Sequence, residues 1–164
     1  DTVLKVGTTL EDPWLDFYED VAKDSNNPHL IKVHKLTLDE DYYIAQTELL
    51  QARPESETAR LNHFKLSSCI NDYIYDSTDN IICKLKKHHS VTVPNPEVFL
   101  HLIDKLKSRV PDGCRMDLHG NNFMYRGNIA VIIDPWCEQD IPDEQNVEEW
   151  LEESSYGESS DSYN

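Results

Sequence analysis

The chain has 164 residues, enough for one ordinary domain with a real hydrophobic core and too few for two large ones. Its composition, 38% hydrophobic and 28% charged, is that of a soluble globular chain, and no apolar run approaches the ~20 residues of a membrane span. Thirty-one acids against fifteen bases give a formal net charge of -16. That excess argues against sequence-independent nucleic-acid binding and against an anionic membrane as partner, and it leaves room for a basic partner or for an anion met by local bases or a metal.

In chain order, residues 2–6 read as a strand ended by Gly7. Asp12 as N-cap, Pro13 at the first helical position and the stripe Trp14, Phe17, Tyr18, Val21 predict a helix over 13–23. Residues 30–38 and 42–47 look like two strands joined by the acidic turn Asp39-Glu40-Asp41. After a linker at 53–57, the residues Leu61, Phe64, Leu66, Cys69, Ile70 and Tyr73 predict a helix over about 57–75. The basic run 84–89, with the pair His88-His89, reads as a solvated strand edge or loop rather than a ligand set. A further helix is expected from Pro96 to about Arg109, burying Val98, Phe99, Leu102, Ile103 and Leu106, and ended by Pro111-Asp112-Gly113. Residues 123–125 and 129–133 are short β runs around Arg126-Gly127-Asn128, a hairpin signal. The pattern as a whole is α+β. Cys69, Cys83, Cys114 and Cys137 form no C-x-x-C pair and read as free thiols in a reducing compartment, not as a zinc site.

Residues 137–164 contain ten acids and no Lys or Arg, which leaves about -6 on the preceding body. The last eleven residues are Ser, Tyr, Gly, Asn and acids, too polar to offset the entropy of ordering, so a largely mobile tail is expected unless a partner holds it. Val147, Trp150 and Leu151, spaced i, i+3, i+4, allow one short amphipathic helix there. Two readings of the tail stand side by side: a solubilising terminus, or an arm for a basic surface.

The residues with chemistry in them lie between Asp117 and Asp134. Asp117 is followed five residues later by Asn122, then by the hairpin, then by Ile133-Asp134-Pro135. In phosphoryl transfer one Asp accepts or orients the attacking hydroxyl, while an Asn and a second Asp hold the Mg²⁺ that neutralises the triphosphate. Carboxylate and amide oxygens are the hard ligands Mg²⁺ prefers. This order of parts resembles the catalytic and metal-binding segments of the protein-kinase-like superfamily. Val3-Leu4-Lys5-Val6 is similar to its strand bearing the phosphate-contacting lysine, Asn27-Pro28-His29-Leu30-Ile31-Lys32-Val33 to the loop and strand after its first helix, and 42–50 to the next strand and the hinge over which adenine sits.

A narrower resemblance rests on Leu4-Lys5-Val6-Gly7, on Glu11-Asp12 opening the helix, on Asp117-x-His119-x-x-Asn122 and on Asp134-Pro135. These look like the early serine/threonine protein kinases of T-seven-like podophages, over roughly residues 2–136. The resemblance implies a compact kinase-like α+β fold: an N-lobe sheet with one helix over 1–50, a reduced helical C-lobe over 51–136, and an acidic tail over 137–164. It implies ATP and Mg²⁺ as cofactors, with Asp117 catalytic, with Lys5, Glu19, Asn122 and Asp134 around the nucleotide, and with Asn122 and Asp134 on the metal. Glu19 is the foremost candidate to pair with Lys5, and Asp16 the next. It further implies a phage effector in the cytoplasm of an infected bacterium, phosphorylating host proteins of transcription and RNA processing; the acidic charge adds the expectation of no direct contact to nucleic acid or membrane.

The sequence departs from the family pattern in places. The four residues before Lys5 hold no glycine-rich loop, Arg115-Met116-Asp117 stands where H-R-D is usual, and Pro135-Trp136 follows Asp134. His119 reads either as a loop-packing residue or as a helper at the phosphate. Three functions remain open on the residues alone: a protein kinase, a small-molecule phosphotransferase, and a non-catalytic kinase-like body whose acidic surface occupies a basic site on a host protein such as RNA polymerase or a defence enzyme.

Overall fold

Three antiparallel strands organise the N-terminal part: β1 (Thr2–Thr8), β2 (Val33–Leu38) and β3 (Tyr42–Glu48), in the order β1-β3-β2. The structure is a computed structural model that describes residues 1–8, 12–23, 26–76 and 80–139. Alternation along β3 sends Tyr43, Ala45 and Thr47 into the core. Contrary to the expected stop at Gly7, β1 runs on through it to Thr8. The glycine serves close approach instead: a Cβ there would lie 2.5 Å from the Tyr43 ring. The strand expected over 30–38 begins only at Val33; Leu30 makes a single parallel bridge to Ile132.

Helix α1 (Pro13–Lys23) starts as predicted, the Asp12 Oδ1 accepting a bond from the Trp14 N–H at 2.9 Å. It buries Phe17, Tyr18 and Val21. The Phe17 ring meets Trp136 edge-on at 5.9 Å, and Tyr18 meets Tyr43 at 6.1 Å, so α1 packs on both the strand sheet and the C-terminal part.

The second part carries α2 (Glu57–Asp76), α3 (Ile81–His88) and α4 (Pro96–Lys107). The basic run 84–89 is therefore helical up to His88, not a strand edge or loop. Ile81 and Leu85 are buried one turn apart, and the bases occupy the outer face. In α2 the buried apolar residues among those described are Ala59, Leu66, Cys69, Ile70 and Ile74, and Ser67 is buried with them, whereas Leu61 is 73% exposed. In α4 the Asn95 side chain caps the Val98 N–H, Leu100 is buried, and Val98 lies at the surface.

The chain then forms β4 (Cys114–Met116), a single 3-10 turn (Gly120–Asn122), the hairpin β5 (Phe123–Arg126) and β6 (Ile129–Ile132), and β7 (Trp136–Glu138). Gly127 turns the hairpin at φ +62°, the left-handed region where glycine has no penalty. β7 pairs antiparallel with β4, Met116 opposite Trp136, so Cys137 and Glu138 belong to the fold rather than to the tail. The architecture is mixed α+β with small antiparallel sheets, and no described helix is long and apolar enough to cross a membrane. Glu11, the predicted short helix around 147–151 and the remainder of the acidic tail lie outside the described residues.

Arg126 clamps the two parts together. Its guanidinium donates to both oxygens of Glu48 at the end of β3, and to the carbonyls of Pro28 and Leu30 at 2.8 and 3.1 Å. Beside it, the buried His29 ring bonds the Ala130 carbonyl through Nδ1 at 2.8 Å, and the Ile132 N–H returns to the His29 carbonyl.

Candidate active site

The short β4–β7 ladder sets the site. It delivers Asp117 and Asp134 to the ends of two neighbouring segments, and the Asp117 N–H bonds the Pro135 carbonyl at 2.7 Å. The 3-10 turn brings Asn122 back beneath Asp117. The buried amide donates through Nδ2 to the Asp117 carbonyl at 2.5 Å and to its carboxylate Oδ2 at 3.1 Å. Helix α2 holds this loop from behind: Ser67 Oγ donates to the Leu118 carbonyl at 2.9 Å and Tyr75 to that of Met116 at 3.3 Å. His119 accepts the Asn121 N–H on Nδ1 and sets Nε2 3.5 Å from Asp117 Oδ2. It caps the turn and flanks the carboxylate at once. With Nδ1 taken up by the Asn121 N–H, Nε2 is the ring nitrogen that faces Asp117.

Lys5 approaches from β1. Its ammonium sits 3.1 Å from the centre of the Trp14 ring and 5.5 Å from that of Tyr18, residues one turn apart on α1. Burial lowers its pKa, and the negative charges of Asp134 and Asp12 act in the opposite direction. Glu19 follows Tyr18 and so points about 100° around the helix. Among the described contacts neither Glu19 nor Asp16 makes an ion pair with Lys5. Ring faces meet the ammonium where the resemblance implies a glutamate.

Asp134 is under electrostatic stress. Its pKa is pushed up to about 7, first by burial and then by Asp117 and Asp12, with Lys5 opposing. Its Oδ1 is buried without a hydrogen-bond partner in the structure. Lys5 and Asp134 share, with the apolar Val3, Leu50, Met124 and Ile133, a cavity of about 190 Å³. That is smaller than the ~300 Å³ at which small-molecule pockets usually begin, so it accommodates part of a ligand, not a whole nucleotide.

A metal fits this site only as a shared ion. No cluster of three His, Cys, Asp or Glu side chains suited to a metal exists among the described residues. The unpartnered Oδ1 of Asp134 and the Asn122 carbonyl oxygen are hard donors, however, and Mg²⁺ is commonly held by one or two protein ligands plus phosphate and water.

The structure thus brings Lys5, Asp117, Asn122 and Asp134 to one region, and among the described contacts none joins Glu19 to them. Sequence reasoning missed the roles of Asp12, Trp14, Tyr18 and Tyr43 there. In the sequence Asp12 reads as a helix cap, and Trp14 and Tyr18 read as part of an apolar stripe; nothing in their spacing distinguishes a ring that faces a cation from one that faces a leucine. Burial and the charge of Asp12 raise the pKa of both tyrosines, so both hydroxyls stay protonated. No protein-family model matches the chain, and no curated protein matches it.

Proposed function

We propose that the chain is a kinase-like phosphotransferase that moves the γ-phosphoryl group of Mg-ATP to serine or threonine hydroxyls of host proteins, in the manner of the early podophage kinases it resembles. The observation that carries this reading is the convergence of Lys5, Asp117, Asn122 and Asp134, from three distant segments, beside an apolar cavity bounded by residues 47–50.

On this reading the apolar cavity takes the base, and the half-buried Lys5 ammonium, partly desolvated already, gains from a phosphate oxygen. Asn122 and Asp134 would hold Mg²⁺, whose charge would offset that of the phosphates. Asp117, fixed by Asn122 Nδ2, accepts the hydroxyl proton as the new O–P bond forms and the bond to the β-phosphate oxygen breaks, leaving ADP. His119 keeps the Asp117 carboxylate oriented.

The test is transfer of radiolabelled γ-phosphate to protein. Asp117→Ala should reduce it by a factor of about 10³ or more, and EDTA should abolish it. Transfer that is unchanged in the variant or in EDTA overturns the assignment.

A second reading has its own support, the net charge of -16 with a base-free acidic terminus. In it the same body acts as an acidic binder on a basic site of a host nucleic-acid-handling protein, such as RNA polymerase or a defence enzyme, in the bacterial cytoplasm. An intact Asp117→Ala variant that keeps its effect on the host protein favours this reading.

A further inference from the structure

Away from the cleft, the bases of α2 and α3 gather around one buried histidine. His89 ends α3 and is 4% exposed. Its Nδ1 is buried and finds no hydrogen-bond partner in the structure. The same residue, with His88, lines two cavities. The larger, about 340 Å³, also has Lys65, Ser68 and Lys84 in its wall. The smaller, about 120 Å³, has Lys87, Ser90 and Asn62.

Bases at the end of a helix have an ordinary explanation, since they offset the negative end of its dipole. That explains Lys86, Lys87 and His88, and Lys86 is in addition paired with Glu97 at 2.8 Å. It does not explain Lys65, which comes from α2, or Lys84, which lies in the first half of α3. The one acid in either cavity wall is Asp72, and its distance to Lys84, 3.9 Å, is that of a loose ion pair. In a chain of charge -16, three lysines, a surface histidine and a pair of serines around cavities with a single carboxylate form a local exception.

We propose that the α2–α3 junction is a binding site for a small phosphate-bearing anion, separate from the cleft and independent of the function assigned to it. Lys65 and Lys84 supply charge from the two helices, and His88 and Ser68 supply further donors. A phosphate is favoured over a carboxylate because donors converge from two helices and a phosphate presents three or more oxygens to them. The loop behind the site is stiff enough to hold His89 in place: the Thr92 and Val93 N–H groups both bond the His89 carbonyl, at 3.0 and 2.7 Å.

Histidine NMR on the full chain tests this. Pyrophosphate, inorganic phosphate and AMP are titrated separately at constant ionic strength. The expected result is a saturable displacement of the His88 and His89 ring signals by at least one of them, with His29, buried elsewhere, unmoved. The tighter ligand tells free phosphate from an esterified one. Lys65→Ala with Lys84→Ala should weaken the binding about tenfold or more, since both remove charge-assisted contacts. Both lysines are exposed, and an unshifted His29 signal verifies that the fold is intact. Lys5→Ala should leave the displacement as it is, which separates this site from the cleft. Displacement that never saturates, or that is the same in the double variant, overturns the proposal.

Discussion

Asp134 combines a buried, unpartnered oxygen with two like charges nearby, an arrangement that costs stability and favours a cation. Asp134→Asn removes the buried charge, and with it both the repulsion from Asp117 and Asp12 and most of the attraction for a cation. In metal-free protein at neutral pH the variant should melt higher, by about 1 kcal/mol of stability once solvent screening is allowed for. Its Mg-ATP affinity, measured by calorimetry, should fall. A variant that melts lower and still binds Mg-ATP contradicts the reading of this carboxylate. His89 gives the opposite kind of signal. Burial, with the charges of His88 and Lys65, holds its pKa down to about 4 from a reference value of 6.5. Between those values the unfolded chain takes up a proton that the fold excludes. Stability present above pH 6.5 is therefore lost as the pH falls toward 4. Compared with His89→Gln, the wild-type chain should lose about 2 kcal/mol more across that window in urea titrations. Parallel profiles would show that His89 is protonated in the fold as easily as outside it.

Among the elements, β1 and the hairpin carry the connections on which the site depends. Gly7→Ala drives a methyl group into the Tyr43 ring and the Asp12 carboxylate. It should cost about 1–3 kcal/mol, as overpacked cores do, and it should disturb Lys5 two residues away. Arg126→Lys keeps the charge yet cannot reproduce the fork that spans Glu48 and two carbonyls, so it should destabilise nearly as much as Arg126→Ala, by about 3 kcal/mol in thermal unfolding. A lysine variant as stable as the wild type would mean that charge alone holds the two parts. The elements that sequence patterns revealed best are those with strong local punctuation. α1 has Asp12-Pro13, α4 has Asn95-Pro96, and the β5–β6 hairpin has Gly127. Helix α3 was hidden because its eight residues carry two fully committed apolar positions, Ile81 and Leu85, amid bases that suggested a solvated edge. β4 and β7 were hidden because three-residue strands have no period to detect; their pairing is imposed by tertiary contact. The site divides along the same line. Asp117, Asn122 and Asp134 follow one another in a recognisable order. The environment of Lys5 depends on which face α1 turns to β1, and a helix's rotation is fixed by packing that its own sequence states only approximately.

For the whole molecule the question is what the acidic charge does. Nine of the ten acids of the terminal segment lie in residues 140–164, beyond β7, and that stretch has no base. Charge of this kind steers an encounter with a basic surface, and apolar anchors are needed to hold the complex. In the sequence Trp150 and Leu151 are the proposed anchors, and RNA polymerase is the proposed partner. The dissection must respect the fold. A chain stopped after Trp136 loses Cys137 and Glu138 from the β4–β7 ladder that positions Asp117 and Asp134. A chain stopped after Gln139 keeps the ladder, the buried Trp136 ring and its bond to the Leu106 carbonyl. The shorter stop should therefore lower the melting temperature, and the longer one should leave it unchanged. Against purified RNA polymerase, the chain ending at Gln139 should bind at least about tenfold more weakly than the full chain. The full chain's own affinity should drop steeply as the screening length shrinks from ~10 Å at 0.1 M salt to ~3 Å at 1 M. Trp150→Ala should weaken the complex at both salt concentrations, because an apolar anchor is not screened. Equal binding by the full chain and the chain ending at Gln139, at either salt concentration, would leave the acidic terminus as a solubiliser and place any contact with the polymerase on the folded body.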